Sequence, residues 1–420
     1  MYASSLLIMA CYCSEVAAGN LRSSDLVNPP SKPGSMAPNI TADEHGLYLT
    51  WIERSASEQN TNSNEQKHTY QLRFSRFTGE GWSEPRTIVE RNDFFANWAD
   101  LPSLARATDG ALYAHWLQKS SAGIYSYDVA IARSNDGGNT WQTLGIIHQD
   151  KTNTEHGFYS MLADASGIRA FWLDGREMAS QDGGEDTGHG GSGNMTLRTT
   201  RIDNGDIAAS VILDSRVCEC CGTSAAMTDK GPLIVYRGRS DDEVRDIYIV
   251  RQKGDYWTKP KVIHDDGWQI AACPVNGPAV AANGNQVAVA WFSMANNQQT
   301  VKVAFSNDAG DTFDKPIVVD DTQPVGRVDI ELLENGEVIV SWLDRNLTSA
   351  AVKLQRISAD GLKGDPFEIT QLSDSRRVGF PKIGRSGSSL VVVWTLDTSP
   401  TQLEAAVIDL AEIPEVAASD

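Results

Sequence analysis

The sequence predicts an all-β protein, a seven-bladed β-propeller built from four-stranded antiparallel blades. One strand pattern recurs seven times along the 420 residues, and each repeat has room for four short strands. Four strands in a unit of about 50 residues are typical of a propeller blade. No linker or low-complexity stretch divides the repeats, so we expect one domain.

Each repeat contains a turn, a short strand, a Gly or Asn turn and an apolar strand that ends in an aromatic residue. Apolar and polar residues alternate in these strands, and turn residues bound them, which is the pattern of antiparallel sheet. The terminal aromatic residues are Trp51, Trp116, Trp172, Tyr236, Trp291, Trp342 and Trp394. Six blades is the alternative, which would hold if the repeat that ends in Tyr236 were irregular.

The two ends of the chain are predicted to meet in the last blade. The seventh repeat has a third strand near 403–410 but no room for a fourth. We expect the stretch around 21–27 to supply that strand and close the ring. This gives a single propeller domain at 21–412, after a signal and linker segment at 1–20 and before a disordered tail at 413–420.

The charge of the chain restricts the class of ligand. With 36 Lys and Arg against 55 Asp and Glu, the net charge is −19. Nucleic acid needs basic surfaces, so we expect no nucleic-acid partner. Hydrophobic residues make up 41% and charged residues 22% of the chain, as in a soluble globular protein with a real core. A carbohydrate or another small molecule is the expected ligand, and a monomer is the expected state.

The first residues resemble a bacterial lipoprotein signal. The apolar run at 6–10 ends in Ile8-Met9-Ala10-Cys11, where the family pattern would attach lipid to Cys11. The resemblance implies an exported, periplasmic or cell-surface protein that touches the membrane only through this anchor. The Lys or Arg that normally precedes the apolar run is missing. A short apolar N-terminus without a targeting role is the alternative.

Two predicted turns carry the same eight-residue motif. They are Ser134-Asn-Asp-Gly-Gly-Asn-Thr-Trp141 and Ser306-Asn-Asp-Ala-Gly-Asp-Thr-Phe313. The Asp side chain can cap the hairpin, and the Gly can adopt positive φ. The motif resembles the Asp box of bacterial sialidases and related propellers. That resemblance implies a sialidase-like propeller, and as an enzyme an exo-α-sialidase-like glycoside hydrolase.

Unusual polar residues fall where each blade begins, which in a propeller is around the mouth of the central channel. Asp100, Glu155 and His156 are among them. Ligand sites favour such concave mouths. Polar residues at these positions can also serve only to satisfy backbone groups in the channel, so a structural role stays open for each one.

The sialidase resemblance implies three arginines on a substrate carboxylate, a Tyr–Glu nucleophile pair and an Asp acid. Arg237, Arg327 and Arg377 are the candidate arginines, and Asp100 or Asp241 is the candidate acid. A guanidinium fork suits a carboxylate. The sequence departs from the family in two places. Met36-Ala37-Pro38 replaces an Arg-Ile-Pro motif, and no tyrosine follows Tyr256. Glu155 and His156, with Asp174 close by in the repeat, could support a different hydrolytic arrangement.

Four cysteines are expected to cluster at the same mouth. Cys218, Cys220 and Cys221 begin blade four, and Cys273 begins blade five. We favour two disulfides that join the two blades. The alternatives are a Cu or Zn site, with His156 or Met36 as further ligands, and buried thiols that only pack.

One acidic loop could bind calcium. The loop at 239–246 offers several carboxylates, although it lacks the EF-hand spacing. An ion-paired loop that neutralises its own charge is the favoured interpretation.

Three functional hypotheses follow. The first is a sialidase-like propeller that binds or hydrolyses glycans at the channel mouth. The second is a thiol-rich metal-binding or redox propeller centred on the four cysteines. The third is a non-catalytic interaction scaffold.

Overall fold

The computed structural model confirms the predicted fold, a seven-bladed β-propeller of antiparallel blades. It describes residues 25–43, 45–55, 68–164, 167–179, 193–345 and 349–416. The lipid attachment predicted at Cys11 lies outside these residues. The repeat that ends in Tyr236 is a regular blade, so the six-bladed alternative is wrong.

Within each blade, strands that follow one another along the chain pair side by side from the channel outward, and blades 1, 2, 5 and 6 have four strands each. Blade 1 comprises Met36–Asp43, Gly46–Arg54, Tyr70–Phe77 and Arg86–Arg91, and blade 2 comprises Ser103–Arg106, Leu112–Lys119, Tyr127–Ser134 and Gln142–Ile146. Blade 3 comprises His156–Asp164, Gly167–Asp174 and Thr196–Asp203, with Asp206–Ile207 and Val211–Asp214 sharing its outer edge. Blade 4 comprises Ser224–Thr228, Gly231–Arg237 and Ile247–Lys253, with Tyr256–Trp257 and Lys261–Val262 at its outer edge.

The remaining blades follow the same plan. Blade 5 comprises Ala279–Asn283, Gln286–Ser293, Thr300–Ser306 and Ile317–Asp320. Blade 6 comprises Gly326–Leu332, Val338–Arg345, Ala350–Ile357 and Phe367–Leu372, and blade 7 has Lys382–Ser386, Ser389–Leu396 and Gln402–Asp409. Short 3-10 turns occur at Arg176–Met178, Ala295–Asn297, Arg376–Val378 and Leu410–Glu412.

Blade 7 is completed by the other end of the chain. Leu26 forms an antiparallel bridge with Ala406, and the Val27 amide donates to the Ala405 carbonyl at 2.9 Å. The Asn28 side chain in turn accepts from the Ala405 amide at 3.1 Å. The residues at 26–28 therefore lie along the third strand of blade 7, where the fourth strand of the other blades runs.

The aromatic residues that end the second strands form the core between blades. All seven are at least 98% buried. Burial of a polar N–H or O–H group is costly without a partner, and carboxylates provide a partner for five of the seven. Within the described residues, the indoles of Trp116 and Trp394 have no hydrogen-bond partner. The Trp291 and Trp342 indoles donate to Asp266 and Asp320, each at 2.7 Å, and the Tyr236 hydroxyl donates to Asp214 at 2.6 Å.

The hairpin turns with the eight-residue motif are held by their Asp side chains. Asp136 Oδ1 accepts from the Thr140 amide at 2.9 Å and Asp136 Oδ2 from the Thr140 hydroxyl at 2.7 Å. Gly138 has φ +85°, and a Cβ there would lie 2.3 Å from the Phe74 ring of blade 1. The glycine therefore permits close contact between two blades.

First strands of consecutive blades contact one another around the ring, and blade 7 contacts blade 1. They enclose the central channel, and the links that enter them form its mouth. Among the described residues, no helix is long and apolar enough to cross a bilayer.

Candidate functional site

A cavity of about 520 Å³ occupies the central channel and is lined by the first strands of the blades. Its wall is mixed in character. Phe158 and Phe380 supply apolar surface, and Asp100 and Glu331 supply carboxyl groups. Burial raises the pKa of Glu331 to about 7, with the charge of Asp329 adding to the effect.

Arg327 directly precedes Val328, which lines this channel, and its guanidinium lies beside two aromatic rings. Its guanidinium carbon lies 4.8 Å from the Trp98 ring centre and 5.8 Å from that of Phe380, and these two rings stack at 6.0 Å. Arg327 Nη1 donates to the Gly379 carbonyl at 2.8 Å. The residue is only 7% exposed. In the described part of the chain, no carboxylate forms an ion pair with it.

The backbone around this arginine departs from a regular strand. Arg327 has φ +54°, which is uncommon for a residue with a side chain, and the pairing register of its strand shifts between Gly326 and Asp329. Such a bulge re-aims a side chain, and bulges are often found beside functional sites. The Asn276 side chain holds the bulge by accepting from the Arg327 amide at 2.7 Å.

The neighbours of Arg327 are other cations rather than acids. Burial, together with the charges of Arg376 and Arg345, lowers the pKa of Arg327 to about 10. Neither Arg345 nor Arg376 makes a side-chain hydrogen bond or ion pair within the described residues. Three arginines thus share one region of a chain whose net charge is −19. We call Arg327, Arg345 and Arg376 the mouth arginines.

Asp100 lines the channel two residues after Trp98. Asp100 Oδ2 accepts from the Phe158 amide at 2.6 Å, whereas Oδ1 is buried without a hydrogen-bond partner. Burial raises the pKa of Asp100 to about 7, although hydrogen bonds from the Phe158 and Tyr159 amides oppose the rise. A carboxyl group with this pKa can exchange a proton near neutral pH.

Glu155 forms a second buried carboxyl group in this region. The Tyr127 hydroxyl donates to Glu155 Oε1 at 2.5 Å, and Phe95 stacks on the Tyr127 ring at 3.9 Å. Burial raises the pKa of Glu155 to about 8; the Tyr127 hydrogen bond opposes this, and the charges of Asp100, Cys273 and Glu219 reinforce it. A Tyr–Glu pair therefore exists, but both groups are buried and favour their protonated forms.

Three of the four cysteines come together. The sulfur of Cys218 lies 3.4 Å from that of Cys221 and 3.9 Å from that of Cys220, and these three sulfurs lie within 4.8 Å of one another. Cys273, at the start of blade 5, lies outside this group of three mutually close sulfurs. All four are free thiols, so the disulfides that we favoured are not formed in this structure.

A charged network surrounds the cysteines. Arg245 Nη1 lies 3.1 Å from the sulfur of Cys218 and 2.9 Å from Glu219 Oε2, and Arg245 Nη2 lies 2.8 Å from Glu243 Oε2. Arg239 pairs with both glutamates. The acidic loop at 239–246 thus directs two of its arginines and Glu243 into ion pairs. These contacts match the self-neutralised loop that the sequence favoured.

His156 lies in a separate buried cluster. Its ring stacks on His148 at 3.7 Å, and Asp150 bridges the two, with Oδ1 2.7 Å from His148 Nδ1 and Oδ2 3.2 Å from His156 Nε2. Asp174 lies 3.7 Å from His156 Nε2 and is held by Arg176 at 2.6 Å. The ring is fully buried, so its position does not match the predicted role at an open mouth.

The three arginines predicted from the sequence occupy three different environments. Arg237 is buried and donates to the carbonyls of Asn276, Arg245 and Phe292 at 2.6–2.9 Å, with Trp268 packed on its face. Arg377 is exposed and pairs with Asp397 at 3.2 Å. Arg327 is buried beside Trp98 and Phe380. The candidate acid Asp241 is 93% exposed and pairs with Arg216, away from the buried Asp100.

Comparison with known proteins supports the fold. No protein-family model matches the sequence, and no curated protein matches it. Among solved structures, polysaccharide lyase Uly1 has a TM-score of 0.51 at 8% identity, over 91% of this chain and 90% of that one. The Hadza microbial sialidase Hz136 has a TM-score of 0.46 at 14% identity, over 82% and 74%. Trypanosoma rangeli sialidase has a TM-score of 0.43 at 13% identity, over 78% and 56%. At these identities the resemblance is one of fold alone.

Several residues of the mouth were missed in the sequence. Arg345 ends a second strand, as Arg237 does, and Arg376 precedes the Arg377 that was chosen. Trp98 stood in a segment already identified as a blade start. In the sequence, Arg376 and Arg377 are adjacent and equally suited to bind an anion. Only the conformation of the loop shows that Arg377 pairs with Asp397.

Proposed function

We propose that this protein binds an acidic carbohydrate at the channel mouth, with Arg327 as the anchor for a carboxylate or sulfate group. One observation carries the proposal. A buried guanidinium with no carboxylate partner among the described residues sits near two further cations, in a strongly acidic chain. Buried charges are normally paired, so this one is suited to an anion that arrives with the ligand.

The surroundings of Arg327 suit a sugar acid in particular. Trp98 and Phe380 offer aromatic surface beside the guanidinium. An apolar ring face next to a few directed polar groups is the usual composition of a small-molecule site. The resemblance of the fold to glycan-active enzymes agrees with this ligand class, but a fold does not determine an activity.

Asp100 is our candidate proton donor for turnover of the bound carbohydrate. It lines the same channel, and its pKa of about 7 leaves a protonated fraction at neutral pH. We do not extend this role to Asp241 or Arg377, whose side chains pair with other surface residues. Binding and turnover are separate properties, tested by Arg327→Gln and Asp100→Asn respectively.

The binding test compares acidic and neutral oligosaccharides of matched length, immobilised on one array. We expect glycans with uronate, sialate or sulfate groups to bind and their neutral counterparts to bind at least tenfold more weakly. Arg327→Gln should weaken the acidic binder at least tenfold. Arg377→Gln makes the same charge change at the exposed neighbour and should stay within twofold of the wild type. Equal binding by Arg327→Gln and wild type, or no acidic binder, would overturn the proposal.

A further inference from the structure

We infer that Cys218, Cys220, Cys221 and Cys273 bind one thiophilic d10 metal ion, Cu(I) or Zn(II), beside the channel mouth. This site is independent of the proposed carbohydrate ligand. Soft sulfur ligands select these two ions, and both accept sulfur at about 2.3 Å. Each thiol that becomes a ligand releases one proton on binding, so no other reactant is needed.

The spacing of the sulfurs is the first argument. Four sulfurs at about 2.3 Å from one ion in a tetrahedron lie about 3.8 Å apart. The distances from Cys218 to Cys221 and Cys220 are 3.4 and 3.9 Å. A disulfide would require a sulfur–sulfur distance of about 2.05 Å. The three sulfurs on one loop therefore already have close to the spacing of metal ligands.

The backbone brings the segment that carries Cys273, the fourth cysteine, close to this loop. Gly222 follows Cys221, and a Cβ on Gly277 would lie 2.1 Å from the Gly222 carbonyl oxygen. Only glycine allows this approach between the segments that carry Cys221 and Cys273. The Cys218 amide also donates to the Arg237 carbonyl at 3.0 Å, which fixes the start of the loop.

The charge around the cysteines and their access to solvent also suit a metal ion. Several thiolates around one ion give a site with net negative charge, and the guanidinium of Arg245 lies 3.1 Å from the sulfur of Cys218. Groups outside the ligand set that orient and compensate it are a regular part of metal sites. Cys218 and Cys221 are buried, whereas Cys273 is exposed. The exposed member gives an ion a route from solvent to the buried sulfurs.

The experiment uses the full chain, reduced and handled without oxygen, and measures metal by titration with Zn(II) alone and with Cu(I) alone. We expect one equivalent of at least one ion to bind, and to protect the thiols from alkylation until a chelator is added. Cys221→Ser should weaken binding at least a hundredfold. Cys13→Ser changes a cysteine outside this cluster and should leave the stoichiometry at one.

Cys273→Ser tests the fourth ligand, and because this residue is exposed the variant should still fold. Binding weakened at least tenfold for the ion that the wild type takes up supports Cys273 as the fourth ligand. Unchanged binding of that ion overturns the four-sulfur site. Less than one tenth of an equivalent of either ion, binding that survives Cys221→Ser, or a disulfide among the four cysteines in the native protein overturns the inference. Carbohydrate takes no part in this titration, so its outcome does not depend on the proposed function.

Discussion

The guanidinium of Arg327 lies 4.8 Å from the Trp98 ring centre, which brings blade 6 and the link before blade 2 together across the mouth of the channel. Cation–π contacts of this kind attract more strongly when water is excluded. Arg237 has the same kind of contact with Trp268 at 4.8 Å, but its guanidinium also donates to three backbone carbonyls, whereas that of Arg327 donates to one.

Arg237 should be essential for stability rather than for binding. Its guanidinium donates to three carbonyls in two blades, and Lys cannot reproduce that fork. We expect Arg237→Lys to lower the free energy of unfolding by about 2–4 kcal/mol, because buried carbonyls lose charged donors. Arg377→Lys, at an exposed position, should change it by less than about 0.5 kcal/mol. Urea unfolding of both variants measures the difference. Equal stability of the two would refute the structural role.

Asp100→Asn should change how stability depends on pH. The pKa of Asp100 in the folded protein is raised to about 7 from its usual value near 4, so the folded state binds the extra proton. The contribution of Asp100 to the stability of the wild type is therefore present at low pH and is lost as the pH rises through 7.

The asparagine removes the ionisation but keeps an oxygen that can accept from the Phe158 amide. We expect Asp100→Asn to gain stability relative to wild type at pH 8 compared with pH 5, measured by urea unfolding. The variant should also lose any turnover of an acidic carbohydrate. A difference in stability that does not vary between the two pH values would contradict the buried, raised pKa.

His156 and His115 should show opposite pH effects. Burial alone would lower the pKa of His156, but the Asp150 hydrogen bond and the charges of Asp174 and Asp128 raise it above the ordinary value. Its contribution to stability is present below about pH 6.5 and is lost as the pH rises through the raised pKa. The groups that face it include His148 as well as these carboxylates, and Arg176 pairs with two of them.

The contribution of His115 to stability depends on pH in the opposite sense. Burial lowers the pKa of His115 to about 3, and its Nδ1 accepts from the Ser103 amide at 3.1 Å. The stability that His115 contributes is present above about pH 6.5 and is lost as the pH falls toward 3. In urea unfolding from pH 5 to 9, His156→Gln should lose most stability at the acidic end. His115→Gln should lose most at the alkaline end. Parallel profiles for the two variants would show that the assigned charge states are wrong.

Alanine substitutions at two neighbouring glycines of one hairpin should differ sharply in their effect on stability. Gly137 and Gly138 have φ of +71° and +85°, so alanine is strained at both positions. A Cβ at Gly138 would meet the Phe74 ring at 2.3 Å, whereas nothing lies within 4 Å of one at Gly137. Gly138→Ala should therefore be less stable than Gly137→Ala by about 1–3 kcal/mol, the usual effect of overpacking. Thermal unfolding compares them, and similar melting temperatures would show that blades 1 and 2 do not pack as described.

The fold was predictable because its signal is local. Each second strand ends in an aromatic residue that packs between blades, and this pattern recurs with little dependence on the loops. The mouth was predictable only as a region. Arg237 and Arg345 both end second strands, yet one donates to buried carbonyls and the other makes no side-chain contact in the described structure. The positive φ of Arg327 and the stacking of Trp98 on its face depend on tertiary contacts that no spacing in the sequence reveals.

The cysteines illustrate the same limit. Their convergence was expected from equivalent positions in adjacent blades. Cys218, Cys220 and Cys221 do meet, whereas Cys273 lies outside the group of sulfurs within 4.8 Å of one another. The sequence did not show whether the cysteines form disulfides or bind a metal ion. The sulfur–sulfur distance differs by less than 2 Å between these two arrangements, and sequence cannot resolve that difference.

The most direct measurement of the central claim is calorimetric titration of the wild-type protein with an acidic sugar from the array and with its methyl ester. The ester keeps the size and shape of the ligand but removes the negative charge. If Arg327 anchors the anion, the acid should bind at least tenfold more tightly than the ester, and added salt should reduce the difference. Equal affinity for acid and ester would contradict the account.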